Sequence, residues 1–280
     1  MSKIFEALQK SQSQGDRTTA IPEMAAEAVS PLAAPAADLS ALDQCAILSV
    51  IDTPKSRLVS LSDERSLGAE KMRVLSTRLR HLRHPRRFTK LLISSCMKGE
   101  GKSVVSANLA ITLAKNASQR TLLVDGDLRQ PGLSRMFGSE KLPGIADWYR
   151  DQVPIHQFLR RSQDFPLWFL PAGKVPGQPL EVLQSDRLAQ LMTELGEVFE
   201  WVIVDSPPLS PLADSTIWAA LTEATVLVVR EGQTPTKLLR NVLDSFQKDR
   251  LVGVVVNESK SAERKYYDLY YRKSRNGDHP

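Results

Sequence analysis

The sequence predicts an α/β fold, a mostly parallel sheet flanked by helices on both faces. Three observations carry that expectation. Short apolar runs recur at 90–95, 121–125, 167–171, 201–205, 225–230 and 252–257. None alternates apolar with polar residues, so each reads as a strand buried on both faces. Amphipathic stretches lie between them, clearest at 103–115, 187–199 and 237–248, the order of strand–helix–strand units. Finally, a glycine-rich loop joins the first run to the first helix, at the kind of strand end where open parallel sheets bind ligands.

Length and composition set the frame for these elements. A chain of 280 residues, 42% hydrophobic and 25% charged, can build one sizeable core, and no apolar stretch approaches the ~18 residues of a membrane helix. The first residues lack the apolar region of a signal peptide, and two cysteines, Cys45 and Cys96, are too few for a disulfide framework. A cytoplasmic setting is expected. Residues 1–57 read as a flexible arm: Ile4, Phe5 and Leu8 give a short amphipathic segment, and an Ala/Pro-rich run follows. Residues 58–260 form the domain and 261–280 a mobile tail. The net charge is +5, with one basic block from Lys71 through Arg73, Arg78, Arg80, Arg83, Arg86 and Arg87 to Lys90. No aromatic stacking platform is interleaved with it, so it reads as a solvated helix face rather than a nucleic-acid surface.

The run 90–95 leads into Ser94-Ser95-Cys96-Met97-Lys98-Gly99-Glu100-Gly101-Lys102-Ser103. Strand, glycine loop, Lys-Ser and helix together make a P-loop. Gly99 and Gly101 allow the tight backbone nest that cradles phosphate oxygens, and the helix that follows adds partial positive charge. Lys102 is placed to reach the β- and γ-phosphates, and the Ser103 hydroxyl to ligate Mg²⁺. The general pattern fails at its first glycine, which is Cys96. The helix 103–115 repeats Ala107, Ala110, Ile111 and Ala114 at helical spacing. The next run ends on Asp125-Gly126-Asp127-Leu128-Arg129, and the run 201–205 ends on Asp205-Ser206-Pro207-Pro208. Carboxylates at strand ends can converge on the loop, with Asp205 the natural partner of the metal. The tail holds Tyr266, Tyr267, Tyr270 and Tyr271, four of the chain's five tyrosines, among Lys265, Arg272, Lys273 and Arg275.

These motifs together resemble the bacterial tyrosine kinases of polysaccharide production, over about residues 58–272. In that family the three motifs are called Walker A, A′ and B. The likeness continues through Leu170–Gly173, Asp214, Val228-Val229-Arg230 and Gly253–Asn257. It implies a MinD/ParA-like P-loop NTPase fold and an ATP- and Mg²⁺-dependent protein-tyrosine kinase. Gly99, Glu100, Gly101, Lys102, Ser103, Val104 and Asn257 would bind the nucleotide. Ser103, Asp127 and Asp205 would hold the metal. Lys102, Asp125 and Asp127 would carry the chemistry, Asp125 being the preferred base for the tyrosine hydroxyl. The phosphoacceptors would be Tyr266, Tyr267, Tyr270 and Tyr271, modified in trans within a homo-oligomer to regulate polymerisation or export of an extracellular polysaccharide.

Some positions depart from the pattern. The signature lysine of related MinD/ParA ATPases falls at Met97, and Lys98 stands where these kinases usually carry proline. The ring-closing Glu-x-x-Arg-x-x-Arg helix matches at Glu70 and Arg73 but has Ser76 at its third position, with Arg78 close by. The absence of membrane helices resembles the split form of the family. That form implies a membrane-bound polysaccharide co-polymerase as activator, recruitment to the inner membrane face, and a cognate tyrosine phosphatase. Two other readings stay open: a nucleotide-switched scaffold that transfers no phosphate to protein, and a MinD/ParA-like ATPase.

Overall fold

Successive residues of the central strands point into different cores, which is why these runs carry no polar face. Leu92, Leu122, Val124, Val202 and Val204 enter one cluster, while Leu91, Ile93, Leu123, Trp201 and Ile203 enter another on the opposite side. The protein is seen in a computed structural model that describes residues 39–48, 57–117, 119–139, 141–174, 177–209, 213–245 and 250–259. The N-terminal segment of Ile4, Phe5 and Leu8, the Ala/Pro-rich run and the four tail tyrosines lie outside the described residues.

In chain order the elements begin with β1 (Ala46–Ile47), α1 (Val59–Ser62), α2 (Leu67–Arg86), β2 (Lys90–Ser95), α3 (Lys102–Ala117) and β3 (Thr121–Asp125). They continue with α4 (Gly132–Met136), α5 (Ile145–Asp151), β4 (Arg160–Arg161), β5 (Leu167–Leu170), α6 (Pro179–Leu183) and α7 (Asp186–Val198). The last are β6 (Trp201–Asp205), α8 (Ala213–Leu221), β7 (Ala224–Arg230), α9 (Thr236–Ser245) and β8 (Leu251–Asn257). Among the described residues the strands form one sheet in the order β1-β4-β5-β3-β6-β2-β7-β8, parallel at every pairing but β4 with β5. The expected mostly parallel sheet with helices on both faces is what forms.

The short edge strands were not foreseen. β1 lies within the stretch 1–57 expected as an arm, and it pairs with β4. Leu48 N donates to Arg161 O at 2.8 Å, and Trp168 Nε1 donates to Leu42 O at 3.3 Å, so residues 42–48 are docked against the sheet edge.

The basic block forms α2. Ser66 caps it by accepting from Ala69 N at 3.1 Å, and the chain leaves it at Arg87 in the left-handed region, φ 49°. Ala69, Ser76 and Leu79 face the core, while Lys71, Arg78, Arg86 and Arg87 are exposed. Arg83 instead lies over the Trp201 ring, 4.8 Å from its centroid. Ser76 is buried, its Oγ donating to Arg73 O at 2.8 Å, and Arg73 pairs with Glu70 of its own helix at 2.9 Å.

Candidate active site

The site grows from the carboxyl ends of β2, β3 and β6. Register places Ile93 beside Asp205 and Asp205 beside Asp125, one row across three parallel strands. Parallel neighbours in register point the same way, so both carboxylates face the side covered by α3. The chain runs from β2 to β3 on one side of the sheet while β7 and β8 extend the other, the reversal that opens a ligand crevice.

The loop after β2 has the shape its glycines permit. Gly99 and Gly101 take φ 87° and 90°, and a Cβ at Gly101 would run into the Asn257 amide. Cys96 keeps a negative φ, so the turn does without glycine there. Glu100 is turned inward: its carboxylate accepts from Met97 N at 2.7 Å and from the Thr234 hydroxyl, and its carbonyl accepts from Asn257 Nδ2 at 2.9 Å. Glu100 and Asn257 thus brace the loop from behind. Val105 N donates to Gly101 O at 3.0 Å, which starts α3 directly behind the loop.

Lys102 Nζ sits 3.2 Å from Asp127 Oδ2 and 4.0 Å from Asp205 Oδ2. Burial alone would lower the lysine's pKa, but Asp205 and Asp127 outweigh it and raise it, so the ammonium stays charged. Asp205 is fully buried; Oδ1 accepts from Ser106 Oγ at 3.1 Å, and Oδ2 accepts no hydrogen bond. Burial pushes its pKa up against the pull of Lys102. Asp125 is equally buried; Oδ2 accepts from Ser134 N at 2.8 Å and Ser134 Oγ at 2.9 Å, and Oδ1 accepts none. Burial, and after it the Asp205 charge, push Asp125 up to about 7.

Two braces hold the loop after β3. Arg129 makes a two-pronged contact with buried Asp214 of α8, at 2.7 and 3.0 Å. Trp218 Nε1 donates to Gly126 O at 2.9 Å, while Gly126 N donates to Asp205 O at 2.8 Å. Gln130 N donates to Asp127 Oδ1 at 3.0 Å, and Lys98 reaches across from the glycine loop to the Gln130 side chain. Lys98 is therefore a link between the two loops, and Met97 packs at the edge of the apolar cluster beneath α9.

These residues fit a nucleotide with Mg²⁺. The loop is a backbone cradle backed by Asn257, and Lys102 is a buried cation at its base. The unpartnered Oδ2 of Asp205 is a buried oxygen suited to a cation or a metal-bound water. Among the described residues no three acidic, His or Cys side chains form a ready cage. Mg²⁺ requires none, since it takes one or two carboxylates together with phosphates and water. A cavity of about 310 Å³ lined by Arg86, Phe88, Glu223, Ala224 and Val252 lies at the amino ends of β2, β7 and β8, the end opposite this chemistry.

Sequence reasoning found every carboxylate here but missed the groups that hold them. Ser106 had a usable signal, one helical turn past Lys102. Ser134, Thr234 and Trp218 had none, because their contacts span nine residues to more than ninety.

A family profile described as cellulose biosynthesis protein BcsQ matches residues 88–274. The tyrosine-protein kinase YwqD of Bacillus subtilis (strain 168) is 28% identical over 215 residues, 76% of this chain and 90% of that protein. The succinoglycan biosynthesis transport protein ExoP of Rhizobium meliloti (strain 1021) is 30% identical over 232 residues, 79% of this chain but only 27% of ExoP. Among solved structures, the chimerical protein CapA2B2 superposes with a TM-score of 0.69 at 25% identity, covering 79% of this chain and 99% of that one. The septum site-determining protein MinD of Pyrococcus horikoshii OT3, complexed with Mg-ADP, shares the fold: TM-score 0.52 at 20% identity, over 65% of this chain and 76% of that one. The chain belongs to the family described as cellulose biosynthesis protein BcsQ and, with these relatives, to the bacterial tyrosine kinases.

Proposed function

We propose that this chain is an ATP- and Mg²⁺-dependent protein-tyrosine autokinase whose phosphoacceptors are Tyr266, Tyr267, Tyr270 and Tyr271. The observation that carries the reading is Lys102 held between Asp127 and Asp205 at the base of a glycine cradle. The backbone amides of 99–103 and the Lys102 ammonium receive the phosphates, and Gly99, Gly101, Ser103 and Val104 line that approach. Ser103, Asp127 and Asp205 would hold Mg²⁺, which supplies charge neutralisation at the transferring group. Asp125 Oδ1, which accepts no hydrogen bond, takes the proton of the tyrosine hydroxyl. A carboxyl group raised to about 7 is better matched to that task near neutral pH than an ordinary one. The tyrosine oxygen then bonds to the γ-phosphorus as the bond to ADP breaks.

The reaction is proposed to run in trans within a homo-oligomer. Its contacts differ from the family helix at one point, because buried Ser76 cannot meet a neighbour. The names of ExoP, a succinoglycan biosynthesis transport protein, and of the matched family, a cellulose biosynthesis protein, support a role in producing or exporting an extracellular polysaccharide. The division into an arm (1–57), of which residues 42–48 dock on the sheet edge, a kinase domain (58–260) and a tail (261–280) belongs to the same reading. So do a membrane-bound co-polymerase as activator, recruitment to the inner membrane face, and a resetting phosphatase. No helix among the described residues is long and apolar enough to cross a membrane.

The test is phosphate mapping after incubation with ATP and Mg²⁺, with and without a candidate activator. Phosphotyrosine at 266–271 that vanishes in Lys102→Met supports the kinase. ATP binding without phosphotyrosine in any condition sinks it in favour of a nucleotide-switched scaffold. Phosphate release to water that survives deletion of 262–280 favours an ATPase, the reading suggested by the MinD-like fold.

A further inference from the structure

Two of the four non-glycine residues with positive φ among the described residues touch each other. Arg57 (φ 54°) and Glu258 (φ 52°) bring Nη1 and Oε1 to 3.8 Å, and Arg230 closes on the other carboxylate oxygen of Glu258. Left-handed backbone is costly for a residue with a side chain and persists where the surroundings over-determine it. The Glu258 and Arg57 side chains are 41% and 66% exposed, and ion pairs in such positions add little to stability. Stability does not account for the junction.

What Glu258 holds is a direction. It follows Asn257, whose amide donates to the Glu100 carbonyl at 2.9 Å and backs Gly101. Glu231 N donates to Asn257 O at 3.2 Å, and the Thr234 hydroxyl joins Arg230 N, at 3.0 Å, to the Glu100 carboxylate. Arg230 and Glu258 are thus tied through two residues to the phosphate loop itself. Eight positions beyond Glu258 comes Tyr266, the first tyrosine of the cluster.

We propose that the Arg57–Glu258–Arg230 junction is a positioning device for the phosphoacceptor segment. It fixes the direction in which residues 260–280 leave the domain, and so sets how often Tyr266–Tyr271 meet a neighbouring copy's site. The three residues touch neither nucleotide nor tyrosine; they are positioning residues. The inference rests on the autokinase reading above. A tethered substrate reacts according to its effective concentration, which depends on where the tether starts and points. A free peptide has no tether, so the two substrates separate direction from chemistry.

The experiment uses the full chain and two substrates: its own tail, and a synthetic peptide of residues 261–280 given to a chain with Tyr266, Tyr267, Tyr270 and Tyr271 changed to Phe. Glu258→Gln and Arg57→Gln are expected to slow tail phosphorylation by about fivefold or more, while kcat on the peptide and KM for ATP stay within about twofold. Glu258→Gly keeps the left-handed backbone without its ion pairs, and is expected to behave as Glu258→Gln does. Tail rates unchanged in all three variants overturn the inference. Equal losses on tail and peptide also overturn it, since they would show damage to the phosphate loop rather than a lost direction. A wild-type chain that modifies neither substrate overturns the autokinase reading, and this inference with it.

Discussion

Asp125 and Asp205 stand side by side at the ends of β3 and β6 with no solvent exposure, and Lys102 offsets their charge. The arrangement costs folding energy in the absence of ligand, and the cost depends on pH. Asp125 titrates near 3.8 when unfolded and near 7 in the fold. Between those values the folded chain keeps a proton that the unfolded chain has released. The resulting stability is fully present below the unfolded value and is lost as pH rises through about 7, an interval worth at most about 4 kcal/mol. Without nucleotide or metal, the chain should therefore unfold at lower urea at pH 8 than at pH 5, and Asp125→Asn should shrink that difference, Asp205, also raised by burial, supplying a further part. An unchanged difference in the variant would assign the slope to other groups. Cys96 offers a second check at this scale. Burial, and after it Glu100, push its thiol up to about 12, and burial also raises Cys45. Thiolate is the reactive form, so iodoacetamide at pH 8 should leave both cysteines unmodified in the native chain and label both in urea. Rapid native labelling of Cys96 would contradict the buried turn described here.

At the scale of elements, α8 matters more than its nine residues suggest, because it holds the loop that presents Asp127. Trp218→Phe leaves the Gly126 carbonyl buried without its donor, a loss of about 1–3 kcal/mol measurable by urea unfolding. Asp214→Asn weakens the two-pronged hold on Arg129. It should lower kcat on the tail by about tenfold while leaving KM for ATP nearly unchanged, because positioning errors fall on the chemical step. A rise in KM with kcat intact would instead place Asp214 in nucleotide binding. The same element shows what was legible from sequence and what was not. The central strands could be read because burial on both faces leaves unbroken apolar runs, and their carboxylate ends because the charge follows the run at once. β1 and β4, of two residues each, carry no period to read. The braces of α8 were invisible for another reason: Asp214 meets Arg129 across 85 positions, and only the closed sheet brings them together. Glu100 and Asn257 were expected from sequence as nucleotide-binding residues, and their role as a brace behind the loop was not legible because it depends on a contact across 157 positions.

At the scale of the molecule, the proposed autokinase has two routes open to it, a tail entering its own site or a neighbour's. Tyr266 lies nine residues beyond Asn257, itself against the phosphate loop. A segment of nine residues spans at most about 30 Å. Distance alone therefore permits a tail to reach its own site as well as a neighbour's, and only kinetics can separate the two. Mixing two chains does so. One carries Lys102→Met with its tyrosines intact; the other keeps Lys102 and has Phe at 266, 267, 270 and 271. Reaction in trans predicts phosphotyrosine on the Lys102→Met chain, at a rate that falls on dilution as the oligomer dissociates. A mixture that stays free of phosphotyrosine, while the wild-type chain modifies itself at a rate independent of dilution, would establish reaction in cis and remove the need for an oligomer. The product should then weaken the assembly that made it. Four phosphates add about −6 to −8 charges, enough to carry a chain of formal charge +5 through neutrality. Copies whose tails begin basic and end acidic repel one another progressively, so the phosphorylated chain should sediment as a smaller species than the Lys102→Met chain, with the difference shrinking at high salt. Equal sedimentation of the two forms at low salt would show that tail charge does not control assembly.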